Sequence, residues 1–329
     1  MKLESIGFYT LSDERAAKAS GTSRLQRCEV ILTSRCNFNC PYCRHVGGSD
    51  MDLYDVSELV VKWAQDGLRA IRFSGGEPTV YKGLKFLVEL SKKLGIEKIA
   101  ISTNGSASIE YYEDLIAAGV NDFSISLDAC CADDGDHMAG GVKGAWEKVV
   151  KNIRLLSQKT YVTVGIVLTG DNIARTNDII KFADSLGVQD IRVIPAAQDG
   201  DKLTNIAVDQ DILERHPILA YRVANIKANN PVRGLKDSDC NHCGLVMDDM
   251  AVNADLHYPC IIYMREGGMP IGKTNQSIEE IRAERVEWAL THDTHADPIC
   301  KKNCLDVCIA YNNRFNEFNA IPLTVLTTK

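Results

Sequence analysis

No stretch of the 329 residues approaches the run of ~18–20 apolar residues that a membrane-spanning helix needs. The opening segment, MKLESIGFYTLSDERAAK, has no apolar signal core, so nothing in it directs export. There is no excess of positive charge. Lys and Arg number 37 against 44 Asp and Glu, a net charge of −7, and a broad cationic surface for nucleic acid is not expected, which leaves room only for a local basic patch. Low-complexity tracts and internal repeats beyond a β/α alternation are also absent. With 45% hydrophobic and 25% charged residues, the composition suits one large or two modest globular domains in the cytoplasm, without a membrane partner.

Cysteine, by contrast, is plentiful. Twelve thiols in a chain without an export signal point to reduced, metal-binding cysteines rather than disulfides. Cys36, Cys40 and Cys43 form a C-x3-C-x2-C loop with Tyr42 before the last thiol. Iron–sulfur clusters normally take four thiolates, so a three-thiolate loop leaves one iron open to a substrate or cofactor. A zinc knuckle and unrelated cysteines are the blander alternatives. A second group comprises Cys240, Cys243 and Cys260, followed by Cys300, Cys304 and Cys308. Six thiols supply one four-cysteine cluster with two to spare, or two incompletely ligated clusters. Zinc is again the alternative, since CxxC pairs bind it generically.

Hydrophobic patterning places strands at about 27–32, 70–73, 98–102, 122–127, 161–168 and 190–194. Helices are expected between them, the first starting at Asp55 with Val56, Leu59, Val60 and Trp63 on one face. The resulting fold class is α/β, a partial (β/α)6 barrel with its chemistry at the strand C-terminal ends. The expected division is an N-terminal segment (1–25), the barrel (26–198), a connector with one helix around 211–229 (199–239), a cysteine-rich region (240–312) and a tail (313–329). The cysteine loop follows strand one and so lies at the active edge. Ser74-Gly75-Gly76-Glu77-Pro78 follows strand two, with glycines that allow close backbone approach and a carboxylate able to accept from an ammonium. Arg72, Thr103, Asn104, Ser126 and Asp128 offer polar groups at the same edge.

The cysteine loop and the Gly-Gly-Glu-Pro run together resemble the radical S-adenosylmethionine (SAM) superfamily. The resemblance implies that Cys36, Cys40 and Cys43 hold a 4Fe-4S cluster whose open iron chelates SAM, and that an electron from it cleaves SAM to a 5′-deoxyadenosyl radical. It implies SAM-binding roles for Tyr42, Gly75, Gly76, Glu77, Thr103, Asn104, Ser126 and Asp128, and an electron donor such as flavodoxin or ferredoxin; Arg72 and Thr103, which match nucleotide-contacting positions of the GTP 3′,8-cyclases, are expected to hold an anionic substrate. Clusters of this kind imply an anaerobic or microaerobic setting. The late cysteines resemble the SPASM and twitch extensions that carry auxiliary clusters. A full SPASM domain has seven cysteines and a glycine where Asp255 stands here, so one auxiliary 4Fe-4S cluster is expected, with two as the alternative.

Cys130 and Cys131 follow strand four. They are expected as packing thiols, the sharper reading being a hydrogen-atom donor. Cys28 is expected to be buried, and His45, His137 and His257 to be surface or hydrogen-bonding residues. The chain also resembles the GTP 3′,8-cyclases of molybdopterin biosynthesis. It departs from them in having Gly244-Leu245-Val246-Met247 in place of arginines, Thr163 in place of a lysine, and no terminal Gly-Gly. Expected substrates are peptides or sugar- or nucleotide-type small molecules. Only about 25 residues precede strand one, which disfavours a leader-dependent peptide modifier. A non-enzymatic iron–sulfur carrier or zinc protein is the competing class, and it lacks a use for the three-cysteine loop joined to Gly75-Gly76-Glu77.

Overall fold

The computed structural model describes residues 3, 11–44, 47–199 and 206–319. In chain order the elements are α1 (Asp13–Lys18), β1 (Arg27–Ile31), α2 (Leu53–Gln65), β2 (Ala70–Ser74), α3 (Leu84–Lys93), β3 (Lys98–Thr103), α4 (Ile109–Ala118), β4 (Asp122–Ser126), α5 (Ala132–Met138) and α6 (Ala145–Leu156). They continue with β5 (Tyr161–Leu168), α7 (Thr176–Ser185), β6 (Asp190–Pro195), α8 (Gln210–Arg215), α9 (Pro217–Lys227), β7 (Asp249–Asn253), β8 (Leu256–Tyr258), α10 (Ile261–Arg265), β9 (Gly272–Lys273), α11 (Ile278–Thr291), α12 (Pro298–Asn303) and α13 (Asp306–Phe318).

The strands form one open sheet in the order β6-β5-β4-β3-β2-β1-β7-β8-β9. From β6 to β7 every pairing is parallel, and β8 and β9 add antiparallel. Side chains facing the helices are apolar because a parallel sheet covered by helices must bury that face. Val56, Leu59, Val60 and Trp63 of α2 pack there with Leu84, Leu87 and Val88 of α3, all buried. Truncating one of them, such as Leu87, to alanine costs about 2–5 kcal/mol through lost transfer energy and a residual cavity.

Several sequence expectations need correction. Helix α2 starts at Leu53, two residues before the expected Asp55, because the Asp52 carboxylate accepts the amides of Tyr54 and Asp55 and is the true N-cap. The single connector helix is two, broken where Pro217, which lacks an N–H, starts α9. The cysteine-rich region also contributes strands to the sheet, which the sequence reading did not place. β7 lies alongside β1 over its full length, with Arg27 opposite Asp249 and Ile31 opposite Asn253. The strands β7 to β9 are two to five residues long, too short for a period to show in sequence. Residues 11–25 likewise belong to the fold, since α1 packs on α13 and Arg15 pairs with Asp248. His45 and the tail from residue 320 lie outside the described residues.

Candidate active site

A cavity of about 450 Å³ opens at the C-terminal ends of the parallel strands. Cys36, Cys40 and Cys43 line one wall. Their loop is held in place from several sides. The Asn37 amide donates to the Ser106 hydroxyl at 2.8 Å, the Asn39 amide donates to the Ala139 carbonyl, and Asn104 Nδ2 points at the Cys36 sulfur at 3.8 Å. Tyr42 donates its hydroxyl to Asp128, whose other oxygen accepts the Val167 amide at 2.6 Å. Burial raises all three thiols, Cys40 to about 12, so that without a cation they stay protonated. Bound iron supplies the positive charge that deprotonates such ligands, and three clustered thiols on an accessible loop fit a cluster with one uncapped iron.

The glycines after β2 approach backbone as well as the cavity. A Cβ on Gly75 would stand 2.5 Å from the Thr33 carbonyl oxygen, and one on Gly76 would stand 2.4 Å from that of Arg35. The two segments are stitched by Gly76 N–H to Thr33 O and Glu77 N–H to Arg35 O, both 2.8 Å. This contact fixes the entry to the cysteine loop. Glu77 does not present a free carboxylate. It is fully buried and accepts from the Thr79 amide and hydroxyl, the Thr103 hydroxyl and the Asn104 amide, at 2.7–3.0 Å. The expected ammonium acceptor is therefore a brace between the loops after β2 and β3. Gly75, Gly76, Thr103, Asn104, Ser126 and Asp128 do line the cavity, as does Tyr42.

The cavity lining carries more positive than negative side chains, six arginines against Glu29, Asp128 and Asp249. Arg27, Arg72, Arg192, Arg222, Arg233 and Arg265 all reach it. Arg27 pairs with Asp249 at 2.9 Å and Arg222 with Asp306. Arg72 touches Ser102 at 3.1 Å and Asp122 only at 3.5 Å. Arg192 bonds the Ser124 hydroxyl at 3.1 Å and, among the described residues, no carboxylate. Its Nε and that of Arg72 are buried without a partner. Burial, reinforced by the guanidiniums of Arg72 and Arg222, pulls Arg192 down to about 10. A buried guanidinium without an anion is costly, and a bound anion relieves that cost.

Cys260 and Cys308 of the second cysteine group line the same cavity. Burial raises Cys243 to about 11 and raises Cys260 and Cys300 further. Each of these three also feels the charge of Cys308, and Cys304 is raised first by its contact with Cys308 and then by burial. Five thiols therefore converge. Cys240 is raised by burial and Asp239, with no contribution from the other sulfurs. The loops are gripped by Arg285, a fully buried guanidinium that donates to the carbonyls of Val246, Asp249 and Tyr258. Arg265 on α10 reaches back to the Ser74 hydroxyl and the Gly75 carbonyl, joining α10 to the glycine loop.

Cys130 and Cys131 do not face the cavity. After Asp128 the chain turns outward, its carbonyl accepting from Asn172 Nδ2; Cys130 and Cys131 meet Arg175 at 2.9 and 3.4 Å, and Cys130 lines a separate hollow of about 50 Å³. This placement suits the expected packing role and gives the alternative reading, a hydrogen-atom donor, no support. His257 is buried between Glu284 and Arg285 and lowered to about 4 by burial, and Cys28 is buried in the core. The residues that sequence reading missed are Arg27, Glu29, Arg192, Arg222, Arg233 and Asp249. A signal existed in part. Arg27 and Glu29, Arg72, and Arg192 are charges inside otherwise apolar strands, a placement that only a polar cavity tolerates.

Residues 30–183 match the Radical SAM superfamily. Among curated relatives, the GTP 3′,8-cyclase of Peptoclostridium acidaminophilum is 36% identical over 139 residues, covering 40% of this chain and 42% of that protein. The GTP 3′,8-cyclase of Rhizobium etli (strain CIAT 652) is 29% identical over 210 residues, 60% of this chain and 58% of that one. The chain thus spans about half the length of the curated relatives it matches. Among solved structures, Streptococcus suis SuiB bound to S-adenosylmethionine superposes with a TM-score of 0.58 at 15% identity, covering 84% of this chain and 67% of that one. Native anSMEcpe with bound AdoMet and Cp18Cys peptide gives 0.57 at 17% identity, covering 90% and 96%. At such identities these two speak for the fold alone. Residues 30–183, a little under half of the chain, are thus the part that matches the Radical SAM superfamily.

Proposed function

We propose that Cys36, Cys40 and Cys43 hold a 4Fe-4S cluster with one iron open to SAM, and that four of the converging thiols Cys243, Cys260, Cys300, Cys304 and Cys308 hold one auxiliary 4Fe-4S cluster. When bound, the first cluster, reduced by a flavodoxin- or ferredoxin-type donor, supplies an electron that cleaves SAM to a 5′-deoxyadenosyl radical able to take a hydrogen atom from substrate. The chain's own residues position and shield that chemistry. Gly75, Gly76, Asn104 and Ser126 border the SAM side of the cavity, with Thr103, Asp128 and Tyr42 setting their loops. Arg72 and Arg192 bind an anionic group of the substrate, and Arg265 closes the glycine loop against the auxiliary wall.

The observation that carries this reading is the single cavity bounded by both cysteine groups, with underused guanidiniums between them. Its size falls in the range of small-molecule sites of ~300–1,000 Å³, which supports a compact anionic substrate of sugar or nucleotide type over an extended peptide. Four-thiolate ligation of the auxiliary cluster leaves no iron for substrate, which favours a role in taking an electron from the product radical. Anaerobically reconstituted protein should form 5′-deoxyadenosine from SAM under reducing conditions, slowly even without substrate. Fully clustered protein that forms none would remove the enzymatic reading and leave an electron carrier.

A nucleotide cyclisation of the kind named for the curated relatives is the second reading. The arginine floor favours it. Thr163 on β5 and the buried, uncharged turn Gly244–Met247 weigh against it, since each stands where those relatives are expected to carry a cation. Saturable GTP binding that Arg192→Ala abolishes would raise it above the first.

A further inference from the structure

Five thiols converge in the second cysteine group, and one cubane takes four. Cys300 has partners that the other four lack. His292 Nε2 lies 3.7 Å from its sulfur and 3.5 Å from Asp297 Oδ2, and the three ligating atoms are all within 4.8 Å of one another. Among the described residues, this is the one grouping of three such atoms that close. Tetrahedral zinc, with a Zn–S bond of about 2.3 Å and Zn–N and Zn–O bonds of about 2.0–2.1 Å, sets sulfur about 3.5 Å from nitrogen and nitrogen about 3.3 Å from oxygen. The observed separations sit within a few tenths of an ångström of those values.

The ligands are also held for the purpose. Asp297 Oδ1 accepts the amides of Ile299 and Cys300, which orients the carboxylate, and Oδ2 accepts the Tyr263 hydroxyl at 3.0 Å. Outer partners of this kind are what fix metal-binding carboxylates. The His292 ring is stacked on Trp288 at 4.0 Å and meets Tyr263 edge-on, so its rotamer is fixed with Nε2 toward Cys300. A neutral imidazole, one carboxylate and one thiolate balance the charge of Zn²⁺, which suits three half-buried ligands.

We propose that His292, Asp297 and Cys300 form a mononuclear zinc site, with a solvent molecule in the fourth position, that staples the end of α11 to α12 beside the auxiliary cluster. Metal entry releases the Cys300 proton to solvent. The proposal rests on the one-auxiliary-cluster reading, because that reading frees Cys300. It leaves Cys243, Cys260, Cys304 and Cys308 as the cluster ligands.

The test uses the full chain, anaerobically reconstituted with iron and sulfide, given zinc chloride and desalted against a weak chelator. Iron and zinc are then counted, and zinc K-edge absorption is recorded. About one zinc per chain is expected, with one sulfur at about 2.3 Å and three lighter neighbours at about 2.0 Å. His292→Ala and Cys300→Ser should each lose that zinc, with at least tenfold weaker retention, while iron stays at the wild-type count. Zinc retained equally by both variants overturns the site. So does a loss of about four irons in Cys300→Ser, which would make Cys300 a cluster ligand. His292→Ala keeps the question answerable if Cys300→Ser fails to fold. The wild-type iron count judges the cluster assignment separately from the zinc.

Discussion

Glu77 accepts the backbone amide of Asn104 at 2.7 Å, in a site where no water reaches the carboxylate. Thr103 and Thr79 complete its shell, so a residue of the glycine loop fixes the turn that aims Asn104 at the Cys36 sulfur. Burial raises Glu77 and those donors oppose the rise. Replacing it by alanine strands buried donors, at about 1–3 kcal/mol for each one left unsatisfied. Glu77→Ala should therefore unfold at markedly lower denaturant and bind SAM weakly, as read by chemical denaturation and equilibrium dialysis. Unchanged stability with lost SAM binding would mean that the carboxylate serves the ligand directly.

Replacing Cys36, Cys40 and Cys43 together by alanine separates the two thiol groups. Iron should fall from roughly eight to about four per chain, and 5′-deoxyadenosine formation should cease. A fall from about twelve to eight would mean two auxiliary clusters, and about four falling to none would mean that the late cysteines hold no iron–sulfur cluster.

Two buried arginines should respond in opposite ways. Arg285 satisfies three carbonyls, and Arg285→Met leaves them bare, for a loss of several kcal/mol. Arg192 is held by one hydroxyl and repelled by Arg72, so Arg192→Met should leave the melting temperature unchanged or raise it. The same change should raise the apparent KM for an anionic substrate at least tenfold while altering kcat less. A destabilised Arg192→Met protein would show that this guanidinium is structural.

Asp128 gives a pH dependence. Burial raises it to about 6, above the unfolded carboxyl range near 4. The folded protein therefore holds a proton that the unfolded chain has released between those values, and the stability this confers is lost as pH rises through about 6. Asp128→Asn cannot titrate. The difference in unfolding free energy between wild type and Asp128→Asn should drift against the wild type from pH 5 to 7. A difference flat with pH would place the Asp128 pKa in the ordinary range.

The parallel half of the sheet was legible because its strands are apolar and its helices amphipathic, and β2 to β6 fall within a residue or two of the expected bounds. The cysteine loop was legible because ligand spacing is local. The cavity floor was harder. Arg222 and Arg233 arrive from the segment after β6, and Asp249 from β7, through pairings between residues far apart in sequence. The Glu77 carboxylate reads in sequence as a ligand group because sequence shows a charge but not what encloses it. Cys130 and Cys131 follow β4 closely in sequence, while an outward turn at Asp128 carries them away from the cavity.

The position of β1 constrains how the protein is made. Its two neighbours in the sheet are β2 and β7, and the Arg27–Asp249 pairing spans 222 positions of chain. During synthesis the strand leading into the Cys36–Cys43 loop thus waits with one row of amides and carbonyls unsatisfied until most of the protein has emerged. Bare strand edges recruit other strands, and distant pairings form slowly. Chains stopped short of residue 249 should therefore collect as aggregates, and a ribosome stalled there would expose an edge that a chaperone must cover.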